Sequence, residues 1–270
     1  MNKLFKQKHE LWMHITFASF SINDEEIKSR LYEFSLIAFR HMKWISTNVL
    51  ESSGNYNYDR DMTLCTQDRV FAILMNLKKE VENIQSVYFS SVLGDRLRSD
   101  DKYLLEYLDD ILSNHKNNVS TTAFNMKRTW PDNDLGVEQT DALTQFLLAE
   151  VYKEYELILI YAYMQARTDN ITQFSVYQDL VDESLFHLKS FGNMMAKLGL
   201  LNLPRELHEM TYIIKDLDKF VEDGIAEEEA AKEMCKELSE SIKDDKLSKF
   251  FDFINFQESY HIELMKKLLK

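Results

Sequence analysis

Residues Leu143 to Tyr161 read LTQFLLAEVYKEYELILIY, and this stretch decides the fold class. Its apolar side chains recur every three or four residues, which is the spacing of one face of an α-helix. That face runs through Leu143, Phe146, Leu147, Glu150, Val151, Glu154, Leu157, Ile158 and Tyr161. Two glutamates therefore share an apolar stripe, although an unpaired carboxylate is costly to bury. The stretch predicts a long buried helix whose acids have partners.

The rest of the chain follows the same periodicity. Of its 270 residues 45% are hydrophobic, and only six are Gly and two are Pro. Because β-rich and Rossmann-type folds need many more turn residues, this composition excludes them. The spacing predicts an all-α protein with helices over 3–20, 24–51, 62–93, 100–116, 138–167, 171–199, 226–243 and 246–269, and a shorter one over 205–222.

Breaker residues divide the chain near its middle, where residues 120–136 contain a Trp-Pro-Asp-Asn-Asp run and a glycine. The histidines indicate a repeat across this boundary. His187 follows His41 by 146 residues, and His261 follows His115 by the same 146. We therefore expect two tandem units, each an antiparallel bundle of four helices, over residues 1–124 and 137–270.

The charge balance limits the partners. A net charge of −13 and a pI near 5.1 offer no basic stripe for a nucleic acid or an acidic membrane. Cys65 and Cys235 lack zinc-site spacing, so neither a disulfide framework nor a structural zinc is indicated. With no cleavable leader and no apolar window of membrane-spanning length expected, we predict a cytoplasmic protein.

Inward-facing histidines are the first candidates for chemistry. His41 and His115 lie on apolar helix faces without a neighbouring acid. His187, in contrast, follows Glu183 by four residues, and His261 follows Glu258 by three, so each shares a helix face with a carboxylate. Histidine and glutamate on one buried face are plausible metal ligands.

Further acids are expected on the other helices of the second unit. Glu154 lies on the stripe quoted above, and Glu227 falls on the apolar face of helix 226–243, with Glu228 as the alternative. The candidate metal ligands are therefore Glu154, Glu183, His187, Glu227, Glu258 and His261. Four buried carboxylates would repel one another, whereas two divalent metals would neutralise them and use the imidazoles as end ligands.

The sequence Glu258-Ser-Tyr-His261 resembles the Glu-x-x-His helix of the ferritin-like dimetal-carboxylate proteins. The resemblance implies lone ligands at Glu154 and Glu227, a bridging Glu258, and terminal His187 and His261. Residues 137–270 depart from the family pattern beside His187, where Ser184 occupies the usual glutamate position. Residues 1–124 depart further, since Ala38 and Leu112 precede the two histidines, so a degenerate site is expected there.

The same resemblance implies a non-haem oxidoreductase that carries two iron or manganese ions per chain. Its expected partners are dioxygen or peroxide and a small-molecule substrate, and a homodimer is compatible with it. A metal-binding or storage module and a non-catalytic helical interaction scaffold remain open as alternatives. A single metal held in the first unit by His41 and His115 with Glu10, Glu33 and Glu80 also remains open. A haem-oxygenase type of fold ranks lower, because its His-x-x-x-Asp-x-x-His helix is not found.

Overall fold

The computed structural model describes residues 1–60, 69–114, 119–131, 135–201 and 204–269. Within these ranges all regular structure is helical, which confirms the all-α class, and strand-like pairing is limited to one bridge between Ile22 and Thr121. The helices are α1 Asn2–Ser21, α2 Glu25–Ser53, α3 Val70–Gln85, α4 Val92–Asn114, α5 Val137–Gln165, α6 Ile171–Lys197, α7 Glu209–Tyr212, α8 Leu217–Ser241 and α9 Asp245–Lys266. None of the described helices is long and apolar enough to cross a membrane.

Side-chain caps explain where several helices begin. The Asp24 carboxylate accepts hydrogen bonds from the backbone N–H groups of Glu26 and Ile27 at the start of α2. Asn170, Asp216 and Asp244 cap α6, α8 and α9 in the same way. Each cap satisfies N–H groups that have no partner within the helix, so polar residues before the apolar runs fix the helix starts.

The chain divides into two compact units. The first contains Met1–Met126 and Gly199–Glu206, and the second contains Lys127–Leu198 and Leu207–Lys270. In the first unit α1 packs along α2 and α3 along α4, with further contacts between α1 and α3 and between α2 and α4. The second unit repeats this scheme with α5, α6, α8 and α9. The sequence did not indicate that Gly199–Glu206 groups with the first unit.

The helix predicted over 62–93 is interrupted in the structure. Of that span, residues 61–68 lie outside the described ranges, α3 ends at Gln85, and α4 begins at Val92. Gly94 stands in the first turn of α4, where an added Cβ would lie 2.0 Å from the carbonyl oxygen of Phe89. The backbone therefore approaches itself at a point that only glycine allows.

A second difference concerns α8. The sequence predicted separate helices over 205–222 and 226–243, but α8 runs from Leu217 to Ser241 without interruption. A Cβ added at Gly224 would lie 2.4 Å from Met265 Cε of α9. This glycine therefore serves helix–helix packing and does not end a helix.

Candidate metal centre

The core of the second unit contains a cluster of acids and imidazoles from four helices. Helix α5 contributes Glu150 and Glu154, α6 contributes His187, α8 contributes Glu228, and α9 contributes Glu258 and His261. All six side chains are buried. Glu183 on α6 lies at the edge of the cluster, with 25% of its side chain exposed. Buried charged and polar groups of this kind need interaction partners, which are either one another or a bound cation.

His187 is held between two helices other than its own. Its Nδ1 atom lies 2.9 Å from Glu154 Oε1 and 3.6 Å from Glu258 Oε1, and its Nε2 atom lies 3.3 Å from Gln257 Oε1. The ring packs against that of Phe191, with 5.6 Å between centroids. The imidazole is therefore oriented by carboxylates on one side and by an aromatic ring beside it.

His261 lies against the other oxygen of the same carboxylate. Its Nδ1 atom is 2.8 Å from Glu258 Oε2, and its Nε2 atom faces Glu183 Oε2 in close contact but outside hydrogen-bond geometry. The rings of His187 and His261 are 5.4 Å apart between centroids. Glu258 thus stands between two imidazoles and contacts both.

The donor set suits a transition metal. One ligand atom each from His187, Glu258 and His261 can be chosen so that all three lie within 4.8 Å of one another. In addition, Glu154 Oε2 is buried and accepts no hydrogen bond from the described residues. A buried acceptor without a donor beside a nitrogen and oxygen donor set fits an ion such as iron or manganese.

Burial and charge shift the pKa values of these groups in opposite directions. Burial alone lowers the pKa of an imidazole, but Glu154 and Glu258 outweigh it and raise the pKa of His187 to about 9. In the same way Glu183 and Glu258 raise the pKa of His261 to about 11. Burial raises the pKa of Glu150 to about 7, and the neighbouring carboxylates of Glu154 and Glu258 add to this rise. Without a metal, protons on the imidazoles therefore balance the acids.

Five of the six predicted ligands meet in this cluster, and one does not. Glu227 is exposed, whereas the alternative, Glu228, is buried. Glu227 lies off the buried face of α8, which consists of Val221, Glu228, Ala231, Cys235, Leu238 and Ser239, so the alternative acid is the one that reaches the cluster. The predicted pairing within α6 also changes, since Glu183 contacts His261 of α9.

The first unit builds a different cluster around His41. His41 is buried, as predicted, and its Nε2 atom lies 3.0 Å from Asp100 Oδ2 of α4. Asp101 lies 3.8 Å from its Nδ1 atom and accepts a hydrogen bond of 2.5 Å from Lys8 Nζ. Arg96 binds Asp100 at 2.8 Å. A lysine and an arginine thus neutralise the two aspartates beside this histidine.

The other candidates for a site in the first unit lie elsewhere. Glu80 contacts His14 at 2.5 Å, and Glu33 contacts Arg30 at 2.7 Å on the surface. Glu10 is half-buried, and His115 lies outside the described residues. The acids around His41 are therefore not the ones that helix spacing suggested.

Sequence reasoning missed residues that contact the histidines or their acidic partners in the two clusters. These are Lys8, Asp100, Asp101, Lys153 and Gln257. The sequence does contain an indication for Lys8. The repeat offset of 146 residues places Lys8 at the position that Glu154 occupies in the second unit. In the first unit this position therefore carries the lysine that pairs with Asp101.

No protein-family model, curated protein or solved structure matches this chain. A functional proposal consequently rests on the residues and their geometry.

Proposed function

We propose that the second unit is a ferritin-like metal domain that holds iron or manganese at His187, Glu258 and His261 and acts as an oxidoreductase on dioxygen or peroxide. The observation that carries the proposal is the position of Glu258 between two buried imidazoles. Glu154 and Glu183 lie beside the same imidazoles and complete an oxygen and nitrogen donor set. One or two such residues come from each of α5, α6 and α9.

The protein residues have separate tasks in this proposal. A bound iron or manganese ion would supply redox chemistry and an open coordination position. Glu154 Oε1 lies 2.9 Å from His187 Nδ1 and holds this ring beside Glu258. The rings of Phe146 and Phe251 pack together at 5.4 Å, and Phe146 also contacts Phe191 beside His187. This apolar layer limits the access of water to the imidazole.

A groove of about 430 Å³ offers a place for a small-molecule substrate. It lies along α7 and the start of α8 and is lined by apolar Met210 and Ile213 together with Lys215 and Lys219. Phe220 also lines it, and its ring contacts the buried Tyr161 at 6.4 Å. Glu209, Asp216 and Asp223 also line it, so three acids stand beside the two lysines and the groove does not select an acidic group.

The first experiment is elemental analysis of the untagged protein purified without a chelator. We expect iron or manganese in the wild-type chain and loss of at least about nine tenths of it in the double variant Glu258→Gln, His261→Asn. The matched control is Glu80→Gln with His14→Asn, which removes another His–Glu pair, and it should leave the metal content unchanged. Iron-loaded wild-type protein should consume dioxygen faster than either free iron or the double variant.

The remaining results separate the alternatives. A folded wild-type chain without metal, both as purified and after reconstitution, would overturn the proposal and favour a scaffold. Metal binding without dioxygen or peroxide consumption would retain the metal centre and remove the oxidoreductase activity. Many metal ions per chain in a large shell of subunits would indicate storage.

A further inference from the structure

Lys153 brings a positive charge into the cluster. It lies on α5 next to Glu154 and one turn after Glu150, and only 21% of its side chain is exposed. Its Nζ atom is 3.7 Å from Glu228 Oε1, and the carboxylates of Glu150, Glu154 and Glu258 also act on it electrostatically. A partly buried ammonium that contacts one acid of the cluster and lies near three others provides positive charge at the place where a cation would bind.

Glu228 is engaged from two sides. Lys153 lies on one side, and the neighbouring Glu258 acts on Glu228 electrostatically. Glu228 is also outside the group of donor atoms formed by His187, Glu258 and His261. Glu228, the acid that α8 contributes, therefore lies between a lysine and a neighbouring acid.

We propose that the Lys153 ammonium takes the place of a second metal, so that the second unit binds one divalent ion at His187, Glu258 and His261. This inference rests on the proposed function and changes the metal count expected from the ferritin-like resemblance. Glu228 is then a partner of Lys153 and not a metal ligand.

Two physical reasons support a single ion. The donor atoms of His187, Glu258 and His261 lie within 4.8 Å of one another and form one group, to which Glu228 contributes no atom. A second divalent ion at Glu228 would lie close to the lysine ammonium, and like charges at short range in a partly buried site repel strongly. The lysine must leave before a second ion can bind.

The test is an anaerobic titration of the full chain with Mn²⁺. Calorimetry measures the number of bound ions, and electron paramagnetic resonance shows whether they are isolated or coupled. We expect one Mn²⁺ per chain with the spectrum of an isolated ion. Two magnetically coupled Mn²⁺ ions would overturn this inference while leaving the metal centre intact. Absence of binding for both Mn²⁺ and Fe²⁺ would overturn the proposed function itself, so the two failures are distinguishable.

Variants at position 153 test the role of the charge. Lys153→Met should admit a second Mn²⁺ with an affinity at least about tenfold higher than any second binding in wild type. Lys153→Arg keeps the charge and should still bind one ion. The matched control is Lys232→Met, because Lys232 is 24% exposed and contacts Glu229 at 3.2 Å, and it should also bind one ion. Binding of a single ion by Lys153→Met, with unchanged affinity, would contradict the inference.

A second variant keeps the test decisive if Lys153→Met does not fold. Glu228→Gln preserves the shape of the side chain. If Glu228 is only a partner of Lys153, this change should alter the affinity for the first Mn²⁺ by no more than about threefold. A loss of about a hundredfold or more would identify Glu228 as a ligand and overturn the inference.

Discussion

The buried ion pair of the first unit gives a prediction with a defined magnitude. Lys8 is fully buried, and its Nζ atom lies 2.5 Å from Asp101 Oδ1. Replacing Asp101 with Asn leaves the ammonium without its counter-charge, and removing one partner of a buried pair costs about 3–5 kcal/mol. The double variant Lys8→Met, Asp101→Asn should cost less than Asp101→Asn alone, because no uncompensated charge remains.

We would measure this loss by urea unfolding, monitored by circular dichroism. Hydrogen exchange of peptides from α1 and α4 assigns the loss to the first unit. The control is Asp95→Asn, which breaks an exposed pair with Arg98 at 2.8 Å and should cost less than about 1 kcal/mol. If Asp101→Asn costs no more than Asp95→Asn, Lys8 is not desolvated in the way that the structure describes.

The loss should also depend on pH. Burial lowers the pKa of Lys8, and Asp101 opposes that effect, so the pKa falls further when Asp101 is replaced. The unfolded chain then binds more protons than the folded chain between the folded and the unfolded pKa, and stability rises with pH in that window. Asp101→Asn should therefore be less destabilising at pH 9 than at pH 6.

Three further predictions concern other buried groups. Burial lowers the pKa of His9 to about 3 and of His41 to about 4, so the unfolded chain takes up protons first as the pH falls below 6.5. As the pH falls from 6.5 toward the folded pKa, each of these histidines should lower stability by up to about 1.4 kcal/mol per pH unit, and His9→Gln should remove the contribution of His9, as measured by urea midpoints against pH. Gly94→Ala should cost about 1–3 kcal/mol in urea unfolding, because its Cβ would meet the carbonyl of Phe89, and a neutral result would contradict the close approach. Burial raises the pKa of the Cys235 thiol, so iodoacetamide should label this residue at least about a hundredfold more slowly in native protein than in urea, as measured by peptide mass spectrometry.

Helix positions were largely predictable from the sequence, because apolar periodicity and caps are local signals. The predictions over 3–20, 138–167 and 171–199 differ from α1, α5 and α6 by no more than two residues at each end. One error falls at a glycine. Gly224 weakens an isolated helix, but close packing against Met265 retains it in α8, and only the tertiary structure reveals that contact.

The candidate site was predictable as a set of residues but not as a set of contacts. A helix face identifies which side chains point inward, and Glu154, His187, Glu258 and His261 were found in this way. It does not identify the partner on another helix. His187 was paired in sequence with Glu183 but contacts Glu154 and Glu258, since its neighbours come from α5 and α9.

The two units differ in how they balance buried charge. In the first unit Lys8 and Arg96 face Asp100 and Asp101, so the charges around His41 cancel. In the second unit Lys153 is the cation that contacts the cluster among the described residues, while the carboxylates are Glu150, Glu154, Glu183, Glu228 and Glu258. The repeat offset of 146 places Lys8 at the position of Glu154. At this position a lysine in one unit and a glutamate in the other separate a cluster neutralised by lysine and arginine from one in which protons on the imidazoles balance the acids.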